Sequence, residues 1–433
     1  MKLWIGLKKN QKSGDYMRIG ICTDLHLGLR QYGLREREED FYQQYYKAIK
    51  IFIKQEVDVV IMGGDLFDQP RPSPSALENL SDGLNDLISN GIDVVNVVGN
   101  HTMIQAPGFR TADEFLTTIP SFKNNYHLLN MDYIYHNDDV HIHGLPFHYN
   151  YEMNEFIQKI NIMNRNASKL NGVNILVIHQ SFKEYCGFAG EELSIDDIDT
   201  SNFDLVICGH IHEKLLTNLS NDNVFLQPGS LERLSIKEAR DEEQQGKGVF
   251  IIDTDFMDID SIANGFIPIK SVRKFLIADM YIKDKKEVSD IRQEIYDKIK
   301  DCMGVSPILF LTVHDTSNSF HELVDLTNDM NKDCLTVQFK YFDESQQDDD
   351  ALLLNQNGDI PAPRDALKIA LNPLDENQRR LGLDLYDYLK DGKDVKGLLD
   401  DFYHKQYLDE MEELSDDFKR EDIESLKKFF EKI

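Results

Sequence analysis

Five short blocks of this 433-residue chain carry oxygen and nitrogen donors of the kind that hold metal ions: Asp24-Leu25-His26, Gly64-Asp65-Leu66-Phe67-Asp68, Gly99-Asn100-His101, His179 and Gly209-His210-Ile211-His212. Carboxylates, an amide carbonyl and neutral imidazoles together suit borderline divalent metals such as Mn, Fe or Zn. Two adjacent ions need one carboxylate between them, and Asp65 is the natural bridge. Asp24, His26 and His212 are assigned to one ion, and Asn100, His179 and His210 to the other. Such a pair clamps a phosphodiester and lowers the pKa of water until hydroxide forms near neutral pH, so the nucleophile would be solvent. His101, beside a ligand but outside the set, is left to stabilise the transition state or protonate the leaving oxygen.

Each block follows a segment that reads as a strand. Residues 17–23 form a first apolar run, 40–55 carry Phe41, Tyr45, Ile49, Phe52 and Ile53 on a helical stripe, and 57–62 lead into Asp65. A helix over 75–89 and a strand over 93–98 lead to Asn100. Strands over 173–178 and 203–208 each end in histidines, and strands at 224–226 and 248–253 would complete a two-sheet α/β sandwich. Ligand groups at the ends of parallel strands are where an open α/β sheet presents them.

The order D-x-H, G-D, G-N-H, H, G-H-x-H resembles the calcineurin-like metallophosphoesterases. Thr23 to Gly28, Gly64 to Asp68 followed by Arg71-Pro72-Ser73-Pro74, and Pro228-Gly229-Ser230-Leu231-Glu232-Arg233 narrow this to a resemblance with the SbcD/Mre11 double-strand-break-repair nucleases over residues 17–270. The resemblance implies a two-sheet nuclease domain over 17–270, a smaller α/β capping domain over 271–342 and a helical C-terminal tail, with residues 1–16 as an extension, 343–370 as an acidic linker and 371–433 as a helical partner-binding segment. It also implies DNA exonuclease or endonuclease activity with two ions, Mn above all, and a separate SbcC/Rad50-type ATPase held by the C-terminal helices. A homodimer would form through residues 75–89 and 111–119, with Leu77, Leu80, Leu84, Leu87 and Phe115 supplying its face. Two positions depart from the family pattern. Thr102 follows His101 where a carboxylate is common, and Asp68 stands where some members carry a histidine linked to exonuclease action.

The net charge of −29 opposes a DNA-binding surface spread over the whole protein, because neutralising phosphates needs Lys and Arg at the contact. Residues 343–433 hold 25 acidic against 13 basic side chains, so much of the excess lies outside the nuclease segment. Contact with DNA would fall to Arg30, Arg35, Arg37, Arg71 and Arg233. No run of about 18 apolar residues argues for a membrane span, and five scattered cysteines fit a reducing, cytoplasmic setting. No G-x-x-x-x-G-K-[ST] loop occurs, so an ATPase would be another chain. A small-molecule phosphoesterase or protein phosphatase would use the same ligands, and a non-catalytic scaffold would keep the fold without them.

Overall fold

The computed structural model describes residues 16–354 apart from 105–109, 138, 187–192, 222, 241–245, 284–286, 303, 318 and 344–351. The chain divides between Arg273 and Lys274 into two units. The expected helical tail and nearly all of the acidic linker and N-terminal extension lie outside the described residues.

Apolar runs build the first unit. Strands β1 (Arg18–Cys22), β2 (Val59–Met62), β3 (Asp93–Asn96) and β4 (Tyr126–Leu128) pair in parallel, as crossover helices require. A second set comprises β5 (Tyr135–Asn137), β6 (Val140–Leu145), β7 (Val173–His179), β8 (Leu205–Gly209), β9 (Leu215–Asn218) and β10 (Val224–Gln227). With β11 (Gly248–Asp253) and β12 (Phe266–Pro268) added to the first, the two six-stranded sheets run β12-β11-β1-β2-β3-β4 and β5-β6-β7-β8-β10-β9. Alternate side chains of both fill the layer between them, among them Ile19, Ile61 and Val95 from one sheet and Ile175, Val177 and Ile207 from the other. The opposite face of the first sheet is covered by α1 (Arg35–Lys54), α2 (Pro74–Ser89) and the short α3 (Ala112–Leu116), and that of the second by α4 (Met153–Ala167). The result is the expected two-sheet α/β sandwich.

Helix α2 begins where Ser73 caps the Ala76 amide and Pro74 occupies the first turn. Its Leu80, Leu84 and Leu87 are fully buried in the core of their own unit, which corrects their expected place on a dimer face. Leu77 is partly buried and Phe115 is 53% exposed.

In the second unit, parallel strands β13 (Phe275–Ile282), β14 (Ile308–Asp315) and β15 (Thr336–Asp343) pack one face against helices Glu287–Lys300 and Phe320–Met330. Leu352–Leu354, inside the expected linker, pairs antiparallel with β15 as β16. Three consecutive leucines in an otherwise acidic stretch supply the apolar strand-forming run there. Among the described residues no helix is long and apolar enough to cross a membrane.

Candidate metal centre

The donor blocks occupy the C-terminal ends of β1, β2, β3, β7 and β8, drawn from both sheets. Asp24 N donates to Gly64 O (3.2 Å) and His26 N to Asp65 O (3.0 Å), which zips the first two loops together. Asp24, His26, Asp65 and His210 all have positive φ, at 54°, 45°, 48° and 89°. Each left-handed non-glycine residue costs on the order of 1–3 kcal/mol, and such strain concentrates where side chains must be aimed. Gly64 has φ +100°, and a Cβ there would overlap the His179 ring.

The side chains converge. Donor atoms of Asp24, His26 and His212 lie within 4.8 Å of one another, as do those of Asp65, His179 and His210, and those of His26, Asp65 and His101. Asp65 belongs to two of these groups, and its Oδ1 accepts from the His101 amide at 2.9 Å. Asn100 Oδ1 stands 3.1 Å from His179 Nε2 and 2.8 Å from His210 Nδ1. Thus the structure brings together all seven expected ligands and His101.

The donor chemistry fits cations. His179 Nδ1 donates to Gly63 O at 2.9 Å, so a neutral His179 turns a bare Nε2 lone pair toward Asp65 Oδ2 (3.0 Å) and Asn100 Oδ1. His26 Nε2 and His212 Nε2 face each other at 3.2 Å. The lone pairs of His179, Asp65 and Asn100, packed this closely, repel unless a positive charge lies among them. Burial disfavours charge on His179, yet Asp65 and Asp24 outweigh it and raise the group to about 9. Burial and the neighbouring His179 push His210 down to about 4, keeping it a neutral donor. Asp65 is drawn well below the carboxylate range, since His179, His26 and His101 overcome its burial.

Other groups hold the donors in place. Asp68 has Oδ1 3.5 Å from His26 Nδ1 and 3.7 Å from His101 Nδ1, and its backbone O is 2.9 Å from the latter. No carboxylate follows His101, and its ring is held instead by the Asp68 backbone carbonyl. Glu238 lies 3.6 Å from His212 Nδ1 and also binds Lys247, whose Nζ reaches His212 O at 2.9 Å. Burial opposes ionisation of Glu238, but His212 and Lys247 hold it at about 2. Asn96 Oδ1 accepts from Gly64 N (3.2 Å) while its amide donates to buried Asp113 (2.8 Å). Sequence reasoning missed Glu238, Lys247, Asn96 and Asp113.

Two of the five expected DNA-contacting arginines are corrected. Arg37 and Arg233 are buried: Arg37 binds Asp40 (2.6 Å), Gln31 (2.9 Å) and Arg233 O (3.2 Å), with Glu232 3.7 Å away. Arg273 joins through Asp40 at 2.9 Å, so this network fastens the start of α1 to the Pro228–Arg233 loop. Buried guanidinium groups need such partners, and there they are withdrawn from any ligand. Arg30, Arg35 and Arg71 are exposed, Arg30 also pairing with Glu38 at 2.6 Å.

Residues 17–214 match the family described as calcineurin-like phosphoesterase. The chain is 27% identical over 393 residues to the DNA double-strand break repair protein Mre11 of Methanocaldococcus jannaschii, covering 89% of this chain and 98% of that one. It is 33% identical over 327 residues to the Mre11 of Methanococcus maripaludis, covering 72% and 82%. With the Mre11 of Saccharolobus solfataricus it shares 26% over 298 residues, covering 69% and 75%.

Proposed function

Because the chain belongs to the Mre11 family of DNA double-strand break repair proteins, we propose that it is a metal-dependent DNA phosphodiesterase that processes broken ends. The carrying observation is that seven donor side chains, Asp65 among them, converge with His101 alongside. Asp24, His26 and His212 would hold one cation, Asn100, His179 and His210 the other, and Asp65 both. The nitrogen and oxygen donor set suits Mn. When bound, such ions polarise a phosphoryl group and acidify water.

The chain's own residues do the rest. His101 Nδ1 is fixed on Asp68 O, which leaves Nε2 as the atom that gives a proton to the departing DNA oxygen. The Asp68 carboxylate, 3.7 Å away, balances the positive charge this requires. Both exonuclease and endonuclease modes use this geometry. Arg30, Arg35 and Arg71 would remain as phosphate contacts. A separate SbcC/Rad50-type ATPase would engage the chain after residue 370. A second copy would have to use the outer surface around Leu77 and Phe115, since the other leucines are buried.

The test is end-labelled DNA incubated with protein and Mn. Wild type cleaves, His101→Ala loses at least about 100-fold in rate while mass spectrometry still finds its metals, and Asp65→Ala loses both ions together. Hydrolysis of phosphomonoesters with none of DNA would overturn the proposal, as would loss of metal in the His101 variant.

A further inference from the structure

Past the end of β6 the chain leaves the sheet beside the metal centre and passes through a 3-10 turn, Asn150–Glu152, into α4. Phe147, Tyr149 and Tyr151 meet ring to ring in succession, whereas His148 is buried. His148 is held by Pro146 O at 2.8 Å, by Lys159 Nζ at 3.0 Å and by the Phe156 ring. The Phe147 ring centre is 5.4 Å from that of His210 and 6.4 Å from that of His179. It meets Tyr149 edge to face at 5.1 Å, and Tyr149 lies parallel to Tyr151 within 4° at 5.7 Å. Tyr151 is 75% exposed. An aromatic track thus runs outward from the ligands to solvent on a loop pinned from beneath.

Resting on the nuclease reading, we propose that this track is a stacking subsite for unpaired bases next to the phosphate being cut. Aromatic faces accept every base and need no positive charge. That suits a chain of net charge −29 in which Arg37 and Arg233 are withdrawn from the surface. The tyrosine hydroxyls keep the track's rim wet, as at surfaces that meet polar, flat ligands. The bases would be those of a frayed end or single strand, because a paired base keeps its faces inside the duplex.

Two substrates separate this from the reading beneath it: a single-stranded oligonucleotide, and diethyl phosphate followed by phosphorus NMR, a simple diester without any aromatic ring. In the Tyr149→Ala/Tyr151→Ala variant the ratio of kcat/KM for the oligonucleotide to that for the simple diester should fall about tenfold. Tyr149→Phe/Tyr151→Phe should restore it. Abasic sites beside the cut should cost wild type the same factor and the alanine variant nothing further. An unchanged ratio overturns the subsite. So does a change in oligomeric mass with the ratio unchanged, which would make the track a contact with a second copy. A wild-type protein that leaves the oligonucleotide whole while hydrolysing the simple diester removes the nuclease reading itself, and the subsite with it.

Discussion

Four of the seven proposed ligands hold their side chains on left-handed backbone, and His210, at φ 89°, departs furthest from the ordinary region. Alanine at 210 would keep that strain without the imidazole, whereas glycine would release it. The usual ranking of the two residues should therefore reverse. His210→Gly is expected to be about 1 kcal/mol more stable than His210→Ala in chelator, read by urea unfolding, although both lose metal. An alanine variant of equal or greater stability would show that no strain is stored there. The ligand blocks themselves were legible in the sequence, since donors recur where apolar runs stop. Their supports were not. Asp113 sits in the capping box Thr111-Ala112-Asp113-Glu114, where an acid already has an ordinary reason to stand, so nothing local shows that it turns inward. Glu238 is equally anonymous, because His212 and Lys247 meet it only in the fold.

At the scale of elements, strands were read closely because their buried runs are continuous. Helix α1 begins at Arg35, five residues before its expected start at 40. Its first turn turns Arg37 and Glu38 inward, and charged residues leave no apolar stripe to detect. Helix α3 offers a test through Asp113. Burial raises its carboxyl from 3.8 to about 6, against the pull of Thr102 and Asn96. Between those values the unfolded chain releases a proton that the folded chain keeps, so folding stability falls as pH rises through the window and stays lower above it. Asp113→Asn removes that loss while Asn96 keeps an oxygen to donate to. Its stability relative to wild type should climb between about pH 4 and pH 7, by up to ~3 kcal/mol. Parallel unfolding curves for the two proteins would refute the assignment.

Across the first unit, the donors are divided between the sheets: Asp24, His26, Asp65 and Asn100 leave one, and His179, His210 and His212 leave the other. Cations that bind only the assembled sandwich stabilise it by mass action, about 2.7 kcal/mol at a hundredfold excess over Kd. Adding a chelator should lower the melting temperature by about 5–10 °C, and Asp65→Ala, which would lose both ions, should melt at one temperature with or without Mn. Equal melting of wild type in Mn and in chelator would mean that no cation spans the sheets. The division also sets an order of events during synthesis. A ribosome releases the oxygen-rich half first and most of the imidazoles only after residue 178, so a polypeptide that has not reached that point carries just a fragment of the hydrolytic apparatus. The capacity to cut arrives late, as one of the last consequences of closure.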